Sequence, residues 1–585
     1  MYGQYRANRF RVNRRYQRKL VWNVEEKQRL IDSILKGLPI PLVLVAEIGP
    51  GPDAPYELID GMQRLNAIFA FIENEYPVSG YYFNLDSLAD TKLLKDEGEL
   101  AQHVPTLDRA SSARVANYAI AMSIFRARDS SSVDDVFRRI NSSGRRLSRQ
   151  ELRQAGTTSL LADSVRLISS NVRTDTSPDD ILPLRVMPKL SITNRDLPYG
   201  VNADDIFWVK HGILRREEVR SSQDEQVVLD ILLDALLDPI PNSGTRIRDA
   251  YYDYSDMEDG SSKESERIET QIQLYGSDKL RDHFMRTYDE IRALLEVANS
   301  KFTNWIDTGS GGRSPRAFHV VFMAIFELLF KDRMSLVDRN LAAQKLSGIG
   351  ASLNISPRGG DWSSTAKRQS IDSVKGIVRD CFQASTAVED YSQYTWASQL
   401  ETLLSNAVVE QQLFDCKQGF LVLGANRPFD EEALSKICRT LTAMANRGPG
   451  AVGYVLVGVA DDEADARRIA TLDGVAAMVF KGFNIVGVDR EAIIRNQSSA
   501  DYYTWIMQKI RSHPKLDPQL ASIIGAESKV ASYHGKILIS LRVMGQSNPF
   551  FFDGALVDRV GSETITIPAG GADFMRIFSR FQTGT

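Results

Sequence analysis

The chain has few cysteines for its length, and this shortage excludes two classes of small site. Three cysteines, Cys381, Cys416 and Cys438, occur among 585 residues. Their spacing contains no pair of the kind that ligates zinc and suggests no disulfide framework. The composition is therefore typical of a protein from a reducing compartment, and we expect a cytoplasmic location.

Histidine is also scarce, and this excludes one class of nuclease. Cleavage by an HNH nuclease needs a histidine base close to an asparagine or second histidine and a metal ligand. The six histidines are His103, His211, His283, His319, His513 and His534. Because no close cluster of this kind occurs, we exclude HNH chemistry. His319 lies within an apolar run and is predicted to be a hydrogen-bonded core residue.

The chain lacks a long apolar run, an excess of one charge and a Walker A sequence. Its longest apolar run, residues 317–330, is shorter than the roughly 20 residues that a membrane helix needs. The net charge of −4 excludes an overall basic surface, so nucleic acid would have to bind local basic patches. Without a Walker A sequence, the chain is not a P-loop enzyme.

The most informative segment is a predicted strand, turn and helix at residues 56–72. The strand ends at Asp60, Gly61 permits a tight turn, and Gln63 and Arg64 fall in the first helical turn. A helix N-terminus with an arginine favours a phosphate, and Asp60 could hold a metal ion or orient a water molecule. The alternative is an ordinary strand-turn-helix with polar surface residues.

Two basic patches lie before and after this segment. The first contains arginines interleaved with aromatic residues and no acid, which suits phosphate contacts and base stacking. The alternative is that these arginines serve a nucleotide pocket or pair with acids elsewhere. The candidate nucleic-acid contacts are Arg9, Arg11, Arg14, Arg15, Arg145 and Arg146.

Three segments in this order carry a resemblance to a known family. They are the basic stretch 14–22, the Asp60-Gly61-Met62-Gln63-Arg64 motif and the stretch 136–153. Residues 1–155 resemble the N-terminal domain of GmrSD-type modification-dependent restriction enzymes, which has a ParB/sulfiredoxin-like nucleotidase fold. The family usually reads Asp-Gly-Gln-Gln-Arg, and here Met62 replaces the first glutamine.

This resemblance implies that the domain binds and hydrolyses a nucleoside triphosphate and couples hydrolysis to an action on nucleic acid. Asp60, Gln63 and Arg64 would be the catalytic residues of this domain. The other residues of the nucleotide pocket would be Gln17, Arg18, Gly61, Arg139, Asn141 and Gly144.

Residues 156–395 are predicted to be mainly helical, because apolar residues recur there at three- and four-residue spacing. Gly- and Ser-rich connections separate these periodic stretches. No residue pattern in this region indicates chemistry. We interpret it as a spacer, with the sensing of a target as the alternative.

The residues from about 400 onwards alternate between strand, helix and Gly-rich turn. An acid, a second acid five residues later and a lysine two residues beyond it precede a buried strand that ends in two acids. Carboxylates in this pattern could converge on one divalent cation, and the lysine could neutralise charge on a phosphodiester.

This C-terminal part looks like the Schlafen-type AlbA domain, a nucleic-acid-binding fold that is a nuclease in some relatives. The stretches 443–446, 458–462 and 558–562 carry the resemblance. It implies Lys417 as the catalytic cation and Mg²⁺ or Mn²⁺ as the cofactor. Binding without cleavage, and a structural or ligand-sensing role, remain alternatives. The metal ligands would be Glu410, Asp415, Asp461 and Asp462.

The resulting prediction is a multidomain α+β protein with three parts. They are a ParB/sulfiredoxin-like domain at 1–155, a helical spacer or sensor at 156–395 and a mixed α/β Schlafen AlbA-like domain at 396–585.

The predicted function is antiphage defence, in which a triphosphate gates nucleic-acid binding or cleavage. The alternative is a non-cleaving, nucleotide-responsive sensor that works with a partner nuclease. We expect nucleic acid as the partner, with DNA favoured over RNA and no membrane. Defence-system proteins and a homo-oligomer are left open.

Overall fold

The computed structural model describes most of the chain, and the chain separates into two compact units. The units are Met1–Glu389 and Asp390–Thr585. The described residues are 1–15, 19–49, 54–127, 133, 136, 148–154, 157, 159–193, 200–254, 263–306, 315–353, 362–384, 396–409, 412–424, 426–460, 462–533 and 535–581. Within these ranges, no helix is long and apolar enough to cross a bilayer.

The first unit begins with a five-stranded mixed sheet. The strands of this unit are β1 (Phe10–Asn13), β2 (Val43–Ile48), β3 (Tyr56–Asp60), β4 (Met122–Ala127), β5 (Ile181–Pro183), β6 (Ile192–Thr193), β7 (Val201–Asn202), β8 (Met334–Leu336) and β9 (Phe382–Ala384). The large sheet has the order β4-β2-β3-β1-β5. The β2–β4 and β1–β3 pairs are parallel, whereas β2–β3 and β1–β5 are antiparallel.

The sheet reaches beyond residue 155, where the sequence predicts the first boundary. Strand β5 hydrogen-bonds to β1, with Arg11 opposite Pro183 and Asn13 opposite Ile181. Without β5, β1 would be the edge strand of the sheet, with one side unpaired. The N-terminal sheet is therefore completed by a segment from the next part of the chain.

Helices make up most of the rest of this unit. They are α1 (Tyr2–Arg6), α2 (Val24–Leu35), α3 (Met62–Ile72), α4 (Ala89–Asp96), α5 (Arg109–Ala116), α6 (Arg149–Gln154), α7 (Leu160–Arg173), α8 (Phe207–Lys210), α9 (Arg216–Arg220), α10 (Gln223–Leu236), α11 (Thr245–Tyr251), α12 (Lys263–Tyr275), α13 (Ser277–Val297), α14 (Phe302–Trp305), α15 (Pro315–Phe326), α16 (Arg339–Leu346) and α17 (Ser364–Val378). Short 3-10 segments cover Leu85–Ser87, Leu184–Leu190, Ile349–Ser352 and Arg379–Cys381, and a π-helical segment covers Glu327–Lys331.

The central helices α10 and α15 pack against each other and build a large apolar core. Trp208, Trp305 and Phe318 are almost completely buried in it. His319 on α15 is 2% exposed, and its Nε2 lies 2.8 Å from a carboxylate oxygen of Asp234. The prediction that His319 is a hydrogen-bonded core residue is confirmed.

The described part of the second unit contains three small sheets. Its strands are β10 (Phe414–Lys417), β11 (Val452–Val457), β12 (Val459–Ala460), β13 (Met478–Phe480), β14 (Phe483–Ile485), β15 (Lys529–Tyr533), β16 (Lys536–Met544), β17 (Phe551–Phe552), β18 (Ala555–Val560) and β19 (Glu563–Ile567). The sheet orders are β10-β11-β16-β15, β12-β14-β13 and β17-β18-β19. Within the first of these, β10 and β11 are parallel.

Helices cover both faces of the β10-β11-β16-β15 sheet. The helices described in this unit are α18 (Trp396–Val409), α19 (Glu431–Ala445), α20 (Glu463–Asp473), α21 (Asp489–Ile494), α22 (Ser499–Arg511), α23 (Pro518–Glu527) and α24 (Ala572–Ser579). One face packs Val455 and Val457 against α19, and the other packs Cys416 and Leu456 with residues of α18. Both units combine helices and sheets, as the predicted α+β class requires.

Candidate functional site

The turn between β3 and α3 determines where the motif side chains lie. Gly61 has φ of 102° and forms the N-cap of α3. A Cβ atom added to Gly61 would lie 2.9 Å from Cγ2 of Val43, closer than packed atoms allow. Only glycine therefore fits both the backbone angle and the close approach to β2. Met62 is buried at this turn.

Asp60 and Arg64 are brought together across this turn. The Nη2 atom of Arg64 lies 2.8 Å from Oδ2 of Asp60 and also donates to the carbonyl of Leu42 at 2.9 Å. Oδ1 of Asp60 accepts a hydrogen bond from the amide of Gly61 at 2.7 Å. The Asp60 side chain is half exposed. A carboxylate and a guanidinium therefore stand together at the N-terminus of an 11-residue helix.

Gln63 has a different set of contacts from its neighbours. Its side-chain oxygen accepts hydrogen bonds from the amides of Val21 and Trp22 at 3.1 and 3.3 Å. Its Nε2 donates to the carbonyl of Lys19 at 2.9 Å. Gln63 therefore fixes the backbone of residues 19–22 against the first turn of α3.

The arginines of the first basic patch have mixed surroundings. Arg14 is buried and donates to Oγ of Ser177 at 2.6 Å, and exposed Arg15 lies 3.1 Å from a carboxylate oxygen of Asp180. Arg14 and Arg15 therefore contact residues that are distant in the sequence, as the alternative of pairing elsewhere predicts. Arg11 is exposed.

Arg9 is half-buried and lies beside an aromatic ring. Its guanidinium stands 4.9 Å from the centre of the Tyr56 ring and donates to the carbonyl of Ala54 at 3.0 Å. A cation over a ring face is favourable by about 0.5–1 kcal/mol at an exposed site.

Several predicted site residues lie outside the described residues. They are Gln17, Arg18, Arg139, Asn141, Gly144, Arg145, Arg146, Glu410 and Asp461.

In the second unit, Asp415 and Lys417 lie on the same face of β10, because side chains two residues apart on a strand share a face. The Nζ atom of Lys417 is 3.4 Å from Oδ1 of Asp415 and donates to the carbonyl of Cys416 at 2.6 Å. Each side chain is about a quarter exposed, 23% for Asp415 and 24% for Lys417. The structure therefore brings this predicted carboxylate and lysine together in contact with solvent.

Arg559 on β18 adds a second cation beside Asp415, which the sequence did not single out. Its Nη2 donates to the carbonyl of Phe414 at 3.1 Å, and the side chain is buried. Burial lowers the pKa of Arg559, and the charge of Asp415 opposes this shift. The sequence analysis includes this arginine only as part of the 558–562 stretch. Its partner, Asp415, lies more than 140 residues earlier in the chain.

Asp462 has a structural contact of its own. It is the N-cap of α20, and its Oδ1 accepts a hydrogen bond from the amide of Asp465 at 2.8 Å. The preceding strands are close to Lys417, since the amide of Gly458 donates to the Lys417 carbonyl at 2.8 Å. Across the described ranges, no three His, Cys, Asp or Glu side chains gather as a metal site. Asp415 and Asp462 alone therefore do not make up a divalent-cation site.

A family model matches the N-terminal part of this chain. Residues 2–157 match the GmrSD restriction endonuclease N-terminal domain. No curated protein and no solved structure matches the chain. The matched range contains Asp60, Gly61, Gln63 and Arg64, and the match supports the predicted resemblance to the GmrSD-type N-terminal family. It indicates a domain of this restriction-endonuclease family in the N-terminal part of the chain.

Proposed function

We propose that this chain is a restriction-like antiphage defence protein in which a nucleoside triphosphate gates an action on nucleic acid. The N-terminal part binds and hydrolyses the triphosphate. The C-terminal part, a Schlafen AlbA-like domain, binds nucleic acid or cleaves its phosphodiester bonds. The observation that carries the proposal is the pairing of Asp60 and Arg64 at the start of α3, inside the region that matches the family.

The N-terminal chemistry follows from the position of these two groups. The first turn of a helix has unpaired amides and a positive dipole end, which attract an anion. The Arg64 guanidinium is suited to clasp phosphate oxygens, and it is held at this helix end by its bond to the Leu42 carbonyl. Asp60, with a half-exposed carboxylate, is placed to orient the attacking water or to carry Mg²⁺.

The C-terminal chemistry is assigned to the face of β10. Lys417 neutralises charge on a phosphodiester oxygen beside it, and Arg559 reinforces the positive potential around Asp415. For cleavage we propose that Asp415 acts with Glu410, Asp461 and Asp462 to hold Mg²⁺ or Mn²⁺.

The second candidate function is a nucleotide-responsive sensor that binds nucleic acid, while a partner protein carries out the cleavage. One observation favours it. Lys417 lies 3.4 Å from Asp415, and the positive charge of the buried Arg559 also acts on this carboxylate. Cations at these positions attract a phosphate and repel a divalent metal ion. A partner nuclease would then supply the cleavage.

Triphosphate hydrolysis by purified protein tests the N-terminal assignment. We expect Asp60→Ala to lower the rate of phosphate release at least tenfold, because the variant removes the carboxylate that orients water or metal. The matched control is Asp32→Ala, which breaks a similar i,i+4 ion pair with Lys36 on α2. The control should retain full activity.

Phosphate release is measured with each of the four common triphosphates in Mg²⁺ and in Mn²⁺. Equal rates of phosphate release for Asp60→Ala and the wild type would show that hydrolysis takes place at another site. Absence of hydrolysis and of triphosphate binding in the wild type would overturn the proposed nucleotide function.

A further inference from the structure

A group of buried charged side chains lies next to the segment that Gln63 holds. Three are basic and three are acidic, and all are at most 7% exposed. We call this group the buried ion network. Its members are Arg14, Lys19, Arg173, Asp175, Asp224 and Glu225.

Arg173, at the end of α7, is the centre of the network. Its Nε lies 3.2 Å from Asp175, and its Nη1 contacts Asp224 and lies 3.4 Å from Glu225. The three carboxylates raise the pKa of Arg173 above its usual value, although burial opposes them. Two consecutive acids of α10 are thereby fixed to α7.

Lys19 joins the same acids from the N-terminal part of the chain. Its Nζ is 3.9 Å from Asp224 and 3.8 Å from Glu225, and it donates to Oγ of Ser222 and the carbonyl of Val219 at 3.1 Å each. Burial lowers the pKa of Lys19, and the two carboxylates oppose this shift. An ammonium group with these four partners has little freedom to move.

The backbone that follows Lys19 is held from two sides. Gln63 bonds to three of its polar groups from α3. From the helical side, Arg220 on α9 donates to the carbonyl of Val21 and also to Glu26 at 2.8 Å. The amide of Ile192 donates to the Leu20 carbonyl at 3.1 Å. Segment 19–22 therefore connects the first turn of α3 to helices α9 and α10.

We propose that Lys19 is a positioning residue for the triphosphate site, and that through it the helical part of the unit controls that site. The chain of contacts runs from α10 through Lys19 and the 19–22 backbone to Gln63. Gln63 lies between Asp60 and Arg64 in sequence, so a shift of the segment moves the turn that carries both. This inference rests on the proposed triphosphate function.

The contacts also determine the direction of the coupling. A displacement of α10 that separates Asp224 and Glu225 from Lys19 loosens the 19–22 segment and lowers turnover. Conversely, a triphosphate at the start of α3 stabilises the arrangement in which Gln63 holds the segment, because linked equilibria act in both directions. An event sensed by the helical part and the state of the nucleotide site therefore affect each other.

The first test compares Lys19→Met with a matched control in the same unit. Lys367→Met also removes a fully buried lysine beside an α10 acid, since Nζ of Lys367 is 2.5 Å from Asp234. We expect Lys19→Met to lower kcat for triphosphate hydrolysis at least fivefold and Lys19→Arg to restore part of it. Lys367→Met should stay within twofold of the wild type, even at an equal loss of thermal stability. Equal losses of kcat in Lys19→Met and Lys367→Met would overturn the positioning role.

The second test does not depend on nucleotide turnover. Amide hydrogen exchange over residues 61–66 should become faster in Lys19→Met and in the milder Arg220→Met, and remain unchanged in Lys367→Met. If exchange there is unchanged in both variants, the coupling is wrong. If the wild type hydrolyses no triphosphate but the exchange result holds, the proposed function fails while the mechanical link stands.

Discussion

Gly61 lies at a position where both the backbone angle and the surrounding space favour glycine. Its φ of 102° lies in the left-handed region, and the place of a Cβ atom is occupied by Val43. The angle alone disfavours side chains other than hydrogen, and the close contact adds a steric penalty. Both effects act at the turn that aligns Asp60 with Arg64.

We therefore expect Gly61→Ala to lower the free energy of unfolding by about 2–4 kcal/mol, from the strained angle and the overpacking together. Gly37→Ala is the matched control, because Gly37 has φ of 70° but no atom within 4 Å of an added Cβ. The control should lose about 1–2 kcal/mol from the angle alone. Chemical denaturation measures both, and equal losses would show that the contact with Val43 is relaxed at no cost.

At the scale of elements, β5 and the buried ion network connect the N-terminal sheet to the helical part. Strand β5 supplies the edge partner of β1, and the acids Asp175, Asp224 and Glu225 face Arg14 and Lys19. Leaving a buried charge without its partner costs about 3–5 kcal/mol, which is a large share of the 5–15 kcal/mol stability of a typical domain.

A fragment of residues 1–157 is therefore expected to be unfolded, although it contains the whole family match. A fragment of residues 1–389, which keeps β5 and the network acids, should fold. Circular dichroism during heating distinguishes the two cases by the presence of a cooperative transition. A cooperative transition in the 1–157 fragment would contradict the structural dependence on β5 and the network.

The same elements explain which features could be predicted from the sequence. The strand, turn and helix around Asp60 and the pairing with Arg64 follow from residues that are close in sequence. The core role of His319 follows from its apolar neighbours. By contrast, the partners of Arg14 and Arg15 are acids at positions 175 and 180, and no local pattern connects residues so far apart.

The second unit has the same division between local and distant information. The alternation on β10 predicts that Asp415 and Lys417 share a face, and their atoms are 3.4 Å apart. Arg559 reaches this face from β18, and Asp462 is used as a helix cap. Burial and capping depend on tertiary packing, which spacing alone does not specify.

At the scale of the whole molecule, two compact units carry the two proposed activities. The triphosphate site is assigned to the first unit and the nucleic-acid site to the second, so a gated mechanism requires one unit to respond to the state of the other. The net charge of −4 leaves nucleic-acid binding to local, solvent-exposed groups such as Lys417. Binding through such groups should weaken as the salt concentration rises.

The most direct test is cleavage of single- and double-stranded DNA and of RNA by the purified protein, in Mg²⁺ or Mn²⁺, with and without each triphosphate. The wild type should cleave in a triphosphate-dependent way, Asp60→Ala should lose that dependence, and Asp415→Ala should lose cleavage. Asp553→Ala, which removes an exposed carboxylate paired with Lys515, is the control and should behave as the wild type. Salt-sensitive binding without cleavage would favour the sensor function. Cleavage that persists in Asp415→Ala, or that ignores triphosphate altogether, would contradict the gated mechanism.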